Sequence, residues 1–344
     1  MSSARPNRSS TPDEQRSVGP VRASLGCVLV TGGTGFIGLR LVEALSQAGV
    51  GVRVLSRSGD RPGAWPAHVE LVRGDITDPE SLAAAVAGCT SVAHLAGEWR
   101  VPSRFWSINA EGTKNVLNVA RQAGIAHLLH MSSVGVMGGR RAGRIDETEP
   151  CHPVNDYERS KLEAERLAVR WSGDTGTCVT VLRPTIVFGP RPGGPDSLLA
   201  LLRAIRARRF VYFDERATAN YVYVDDVVDA CCRALEARTP GLFIVADPCR
   251  LTEFVGTAAE CLQVPKPSIR VPLPIAYTAA AALQAVGRLA RRESPLTVAR
   301  VRALSNRTWF ESADIRNAMG WTPTIGWAGG LARTIDAYRA AGRL

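Results

Sequence analysis

Cys27-Val28-Leu29-Val30-Thr31-Gly32-Gly33-Thr34-Gly35-Phe36-Ile37-Gly38 is an apolar run that breaks on spaced glycines and passes into an amphipathic stretch, Gly38 to Ala48. Strand, tight turn and helix in that order give each glycine a task. Gly32 permits the turn, Gly35 lets backbone N–H groups approach a pyrophosphate at the helix N-terminus, and Gly38 lets helix pack closely on strand. With Thr34, Phe36 and Ile37 between them, these residues predict a dinucleotide site.

The rhythm set here continues. Short β-branched runs (Val52 to Leu55, Val69 to Val72, Ser91 to Leu95, His127 to Met131, Cys178 to Leu182) alternate with helical ones (Pro79 to Val86, Asn109 to Gln122, Tyr157 to Trp171). Such alternation predicts an α/β fold, a doubly wound, Rossmann-like parallel sheet covered on both faces. After Gly189 the chain becomes rich in Gly and Pro and then mainly helical, with one further strand at Leu242 to Val245. The expected division is a tail over 1–24, a cofactor-binding domain over 25–190, and a smaller helical C-terminal substrate lobe over 191–344. Within the last, 220–247 is expected to return to the first domain.

Bulk properties exclude several classes. The chain has 344 residues, 45% apolar and 22% charged, enough for a sizeable core. Residues 1–24 are rich in Ser, Arg and Pro and read as disordered, without the apolar segment of a secretory signal. No run reaches the roughly 18 apolar residues of a membrane span, so a cytoplasmic location is expected, open to peripheral membrane association. The net charge is +10, yet only three of 42 basic residues are lysines and the arginines are scattered, which argues against a nucleic-acid partner. Eight cysteines without a C-x-x-C suit reduced thiols, neither a disulfide framework nor a metal site. Asp225, Asp226 and Asp229 could hold Mg²⁺, but a helix cap at Asp225 is the preferred reading. His127 and His130 fall on opposite faces of a strand, and His94 reads as a core histidine.

Cofactor choice is written at the end of the second strand, where an acid would meet the ribose of NAD. Here Leu55-Ser56-Arg57 offers no carboxylate. Ser56 stands in its place and Arg57 could pair with a 2′-phosphate, so NADP is favoured over NAD, which stays open. Asp75, in Gly74-Asp75-Ile76 after the third strand, is expected either at the adenine amino group or as a helix cap.

Lys161 follows Tyr157 by four residues, so both project from one helical face. An ammonium near a phenol favours the phenolate and would bring its pKa toward neutrality. Ser132 and Ser133 end the strand His127 to Met131, at the sheet edge where ligands bind in such folds. A hydroxyl there could hold a substrate oxygen beside the tyrosine.

Taken with Ala96-Gly97, Asn109 in Asn-Ala-Glu-Gly-Thr-Lys-Asn, Leu182-Arg183-Pro184 with Gly189-Pro190, and Tyr223-Val224-Asp225-Asp226-Val227, these motifs resemble the extended short-chain dehydrogenases/reductases. The likeness runs from about Gly26 to the C-terminus. It implies Tyr157 as general acid or base, Lys161 as holder of the nicotinamide ribose, and Ser133 as the hydroxyl that orients substrate. It further implies Ile76, Leu95, Ala96, Gly97 and Asn109 along the cofactor, and Pro184, Thr185 and Val187 at the nicotinamide. Val134 and Gly135 stand where relatives that dehydrate or decarboxylate nucleotide sugars carry an acid, and Ile186 where nucleotide-sugar enzymes carry an asparagine. The run from Leu182 to Pro190 is more similar to the 3β-hydroxysteroid dehydrogenase and dihydroflavonol reductase branch.

The expected function is therefore an NADP-preferring oxidoreductase that interconverts a ketone and a secondary alcohol on a small, apolar substrate. A nucleotide-sugar 4-epimerase and a redox-inactive NADP-sensing regulator are the alternatives. A homodimer is implied only by analogy. Leu273 to Leu289, ending in Arg288, Arg291 and Arg292, is expected to pack in the lobe or wall the pocket, with a membrane-surface helix as the other reading.

Overall fold

The computed structural model describes residues 25–344 except 63–64, 140–141, 192–195, 290–293 and 295. The expected tail and the arginines at 291 and 292 lie outside the described residues, as does most of the Gly/Pro segment after Arg191.

Seven parallel strands form the central sheet: β1 (Cys27–Thr31), β2 (Gly51–Ser56), β3 (Glu70–Arg73), β4 (Ser91–His94), β5 (His127–Met131), β6 (Cys178–Pro184) and β7 (Gly241–Val245). Their order is β7-β6-β5-β4-β1-β2-β3. Connections run outward from β1 in one direction and then reverse toward β4, which leaves a crevice beyond the strands' C-terminal ends. Register is in step across the switch, with Val30 opposite both Val54 and Ala93.

Side chains alternate across the sheet and so build two cores. Val28 and Val30 pack with α1 (Phe36–Gln47) and α6 (Val224–Ala237), whereas Leu29 packs on the other face with α2 (Pro79–Val86) and α3 (Gly112–Gln122). The long α4 (Asp156–Thr175) lies beside α3.

The C-terminal lobe gathers α5 (Ser197–Arg206), α7 (Leu251–Cys261) and α11 (Gly326–Ala340) around Phe254, Leu331 and Tyr338, all fully buried. It contains more β structure than the sequence suggested. Ile186–Phe188 pairs with Tyr221–Tyr223, and Arg307–Phe310 with Ala142–Ile145. These strands are three or four residues long, too short for periodicity to reveal. α8 (Leu273–Leu289) and α9 (Val298–Leu304) form a satellite with Phe213 and Val301. Among the described residues, no helix is long and apolar enough to cross a membrane.

One expectation is corrected. Asp225 caps nothing: α6 begins after Tyr223, and the Asp225 carboxylate reaches instead to Arg40 Nη1 at 2.7 Å. Asp226 accepts backbone N–H bonds from Thr324, Ile325 and Gly326, and Asp229 pairs with Arg233. Each acid is thus spent on a separate structural contact. Of the placements expected for Leu273 to Leu289, α8 takes lobe packing, through Ala276 and Ala280, and none of its described residues lines the cleft described below. All eight cysteines are free thiols.

Candidate active site

The cleft opens at the C-terminal edge of the sheet. At its centre the glycine turn is shaped by contacts a side chain would destroy. Gly32 has φ +73°, and a Cβ there would fall 2.6 Å from the Ala96 nitrogen. A Cβ on Gly38 would fall 2.1 Å from the Gly32 carbonyl oxygen, so α1 could not start where it does. The Gly35 N–H donates to Gly32 O at 2.9 Å and closes the turn.

One arm of the cleft is lined by Gly32, Thr34, Gly35, Ser56, Arg57, Asp75, Ile76, Leu95, Ala96 and Gly97, together with Arg104 and Ile108. Thr34, Ser56, Arg57 and Ser58 form a polar shelf beside it. Asp75 faces this arm with one oxygen already committed: Oδ1 accepts from Thr77 N and Thr77 Oγ1, both at 2.9 Å. The cap of α2 is Asp78.

The other arm is lined by Phe36, Ile37, Gly38, Ser133, Tyr157, Lys161, Pro184, Thr185 and Val187, with Glu98, Trp99, Ile186 and Arg191 at its mouth. Tyr157 sits in the first turn of α4, which Asn155 starts by accepting the Glu158 N–H at 2.9 Å. The Ser133 hydroxyl stands beside the Tyr157 phenol, near enough to pull its pKa down. The neighbouring Ser132 also borders the cleft, but its hydroxyl donates to Glu165 Oε2 at 2.8 Å. Ser133, not Ser132, therefore has the hydroxyl set beside the tyrosine.

Lys161 is buried and donates to the Met131 carbonyl at 2.5 Å. Burial lowers its pKa to about 8, against a smaller upward pull from Glu165. Tyr157 departs from the simple expectation. Burial and then Glu158 hold its pKa above the ordinary phenol value, and the one downward influence is the Ser133 hydroxyl. Lys161 does not lower it, because its ammonium is turned to Met131. A phenol so held is protonated at neutral pH and ready to donate.

Asn109 was expected along the cofactor, yet it is buried beneath the cleft and absent from its wall. It lies in a π-helical turn, Trp106–Glu111, of a kind often found at functional sites. Its Oδ1 accepts from Glu98 N at 2.7 Å, while Nδ2 donates to Glu98 O at 3.0 Å and Ser160 Oγ at 2.9 Å. Ser160 Oγ donates in turn to Tyr157 O. Asn109 thus ties the Gly97–Glu98 loop to the helix that carries the tyrosine.

His94 extends this network. Thr113 Oγ1 donates its only proton to Asn109 O, so His94 Nε2 must carry a proton to donate to Thr113 Oγ1 at 2.9 Å. The neutral ring then accepts from Thr31 Oγ1 at Nδ1, 2.7 Å away. Burial, aided by Lys161, lowers its pKa to about 3. It is a core histidine, as expected.

Several site residues carried no sequence signal. The Glu98 carboxylate accepts the N–H groups of Trp99, Arg100 and Val101 and folds the loop that presents Trp99. Behind Ser132, Glu165 and Arg183 form a bidentate, nearly inaccessible ion pair that also engages Cys151. Partners so far apart in sequence meet only once the sheet is assembled.

The lining fits a dinucleotide. Gly32, Gly35 and Gly38 give backbone room at a helix N-terminus, and buried Thr185 Oγ1 has no partner among the described residues. It could meet an amide such as the nicotinamide carboxamide.

Known proteins share this architecture. The chain is 29% identical to a 3-beta-hydroxysteroid dehydrogenase of Mycolicibacterium neoaurum, over 92% of this chain and 93% of that protein. It is 28% identical to a 2-alkyl-3-oxoalkanoate reductase of Stenotrophomonas maltophilia, over 91% and 99% respectively. Its structure resembles a Thermus thermophilus UDP-glucose 4-epimerase in complex with NAD, with TM-score 0.68, 26% identity, and 92% and 99% of the two chains covered. Residues 28–246 match the NAD dependent epimerase/dehydratase family, and with the glycine turn and the Tyr157–Lys161 helix in place the chain belongs to that family.

Proposed function

We propose that this NAD(P)-dependent enzyme is a reductase that prefers NADP and converts a ketone on a small, largely apolar substrate to a secondary alcohol. The observation that carries the reading is the placing of the Ser133 hydroxyl and the Tyr157 phenol side by side on the cleft wall, with Lys161 one turn away. The bound cofactor supplies the hydride. Ser133 and Tyr157 hold the substrate oxygen between two hydroxyl groups, and Tyr157 gives it the proton. Lys161, as a cation on the floor of the cleft, would hold the cofactor ribose.

Chemistry that begins with proton abstraction from carbon has poor support. Val134 and Gly135 follow Ser133, and among the described residues the one carboxylate lining this arm, Glu98, has its Oε1 engaged by three backbone N–H groups. The names of the dehydrogenase and reductase relatives agree with ketone–alcohol chemistry. In the same reading, residues 25–190 with 220–247 bind the cofactor and the rest of the C-terminal half selects substrate. Ser56 and Arg57, on the polar shelf, would receive the 2′-phosphate.

Titration with NADPH and NADH, followed by turnover against a panel of ketones and UDP-sugars, tests the proposal. Tighter NADPH binding and reduction of at least one ketone are expected. NAD⁺ retained through purification together with UDP-sugar interconversion would instead establish an epimerase.

A further inference from the structure

Beyond the catalytic trio the cleft continues into a second chamber lined by Trp99, Ile186, Phe188, Arg191, Asp196 and Tyr221. Its walls are mostly apolar, and two of them stand open to solvent, Trp99 at 51% exposure and Ile186 at 52%. Arg191 belongs to both chambers and so stands on the route between them.

Arg191 is unusual for a cation in this chain. Its guanidinium lies 3.9 Å over the Phe36 ring, and its one hydrogen bond among the described residues is a long one, 3.3 Å, to Val187 O. No carboxylate of the described residues pairs with it. The acid in the same chamber, Asp196, is committed: Oδ1 accepts from Leu198 N and Leu199 N, and Oδ2 from the Tyr338 hydroxyl. Burial lowers the Arg191 pKa and Asp196 offsets this only from a distance, without ion-pair contact, so a ligand anion in direct contact would relieve the cost of the half-buried charge. The Tyr221 ring is fixed by stacking on Phe254 at 4.7 Å, and its hydroxyl has no partner among the described residues. Burial and nearby Asp196 raise its pKa to about 12, which keeps it a donor.

We infer that Arg191 and the Tyr221 hydroxyl form a carboxylate subsite, so that the substrate is an amphipathic oxo acid with its alkyl part against Trp99, Ile186 and Phe188. This rests on the reductase reading for the word oxo alone; the subsite stands or falls by binding. A diphosphate fits less well, since the chamber offers a single guanidinium. The cofactor pyrophosphate is the other anion within reach, because Phe36 opens α1.

Octanoate and 1-octanol are the probes, titrated by calorimetry into the full-length protein saturated with NADPH. Octanoate is expected to bind at least tenfold more tightly than 1-octanol, as a charge-assisted hydrogen bond implies. Arg191→Gln is expected to bring the two within about twofold of each other. Tyr221→Phe should weaken octanoate by a few-fold, and the NADPH affinity of both variants should stay within twofold of wild type. Circular dichroism confirms that each variant is folded. Equal binding of acid and alcohol by the wild type would overturn the inference, as would an acid preference that survives Arg191→Gln. Loss of NADPH affinity in Arg191→Gln with the preference intact would reassign the guanidinium to the cofactor, and displacement of octanoate by UDP would reassign the chamber to a diphosphate. Because none of these readouts needs turnover, failure of the reductase proposal would show separately, as an inert ketone panel.

Discussion

Lys161 holds its ammonium where water does not reach, and two consequences follow. The folded pKa of about 8 lies below the ordinary lysine value. Between pH 8 and 10.5 the unfolded chain therefore binds more protons than the folded one, and stability rises with pH across that window. Below pH 8 the full cost of the buried charge is present. Lys161→Met is expected to raise stability at pH 7, by about 1–3 kcal/mol, with the gain fading toward pH 10.5; urea melts at both pH values check this. Catalysis should show the opposite sign. kcat/KM for NADPH, which reports the free enzyme, should fall as pH rises through about 8 and the cation is lost. At the other arm, Arg57→Ala should weaken NADPH about tenfold or more and NADH little, in a fluorescence titration. The Tyr157–Lys161 spacing and the glycines were legible in the sequence because they act locally, through one helix and one turn. Arg191 was not, since an arginine in an arginine-rich chain shows its purpose only when Phe36 and the cleft walls surround it.

At the scale of elements, α4 carries most of the site, and two contacts hold it. Its N-terminus is organised by Asn155, with the Glu158 carboxylate reaching back to Val154 N at 2.7 Å. Asn155→Ala should cost about 1 kcal/mol. Because Tyr157 lies in that first turn, kcat should fall as well, while NADPH affinity stays within about twofold. Further along, Glu165 grips Arg183 on β6 in a nearly inaccessible pair. Arg183→Leu would strand a buried carboxylate and should cost about 3–5 kcal/mol in a denaturant melt. The principal strands and helices could be read from periodicity, most of them to within a residue or two. The π-helical turn at Trp106–Glu111 could not, because its purpose is to bury the Asn109 amide against Glu98 and Ser160, a tertiary demand that overrides local preference.

For the whole molecule, the sheet buries three neutral histidines. The pKa of His94 is lowered to about 3 and that of His127 to about 4, and that of His130 is held well below the ordinary imidazole value, each chiefly by burial. As pH falls from 6.5 toward 4 the unfolded chain takes up protons that the folded one refuses, so stability falls with acid, by up to about 1.4 kcal/mol per pH unit for each histidine. Neither ring nitrogen of His130 has a partner among the described residues. His130→Leu should therefore leave stability at pH 7 little changed and make the acid slope of the urea midpoint shallower. The doubly wound sheet was legible because its parallel strands, buried except at the β3 edge, alternate with helices along the chain. The proposed substrate chamber was not, because it is assembled from Trp99 in one loop, the short strand at Ile186 and Arg191 beyond it, which share no motif. What unites all three scales is the proposal that Tyr157, kept protonated by burial and set beside Ser133, is the proton donor. Single-turnover oxidation of bound NADPH by the best ketone, in wild type and Tyr157→Phe at pH 7, tests that most directly. A fall of about a hundredfold or more with unchanged NADPH affinity is expected, and equal rates in the two proteins would contradict it.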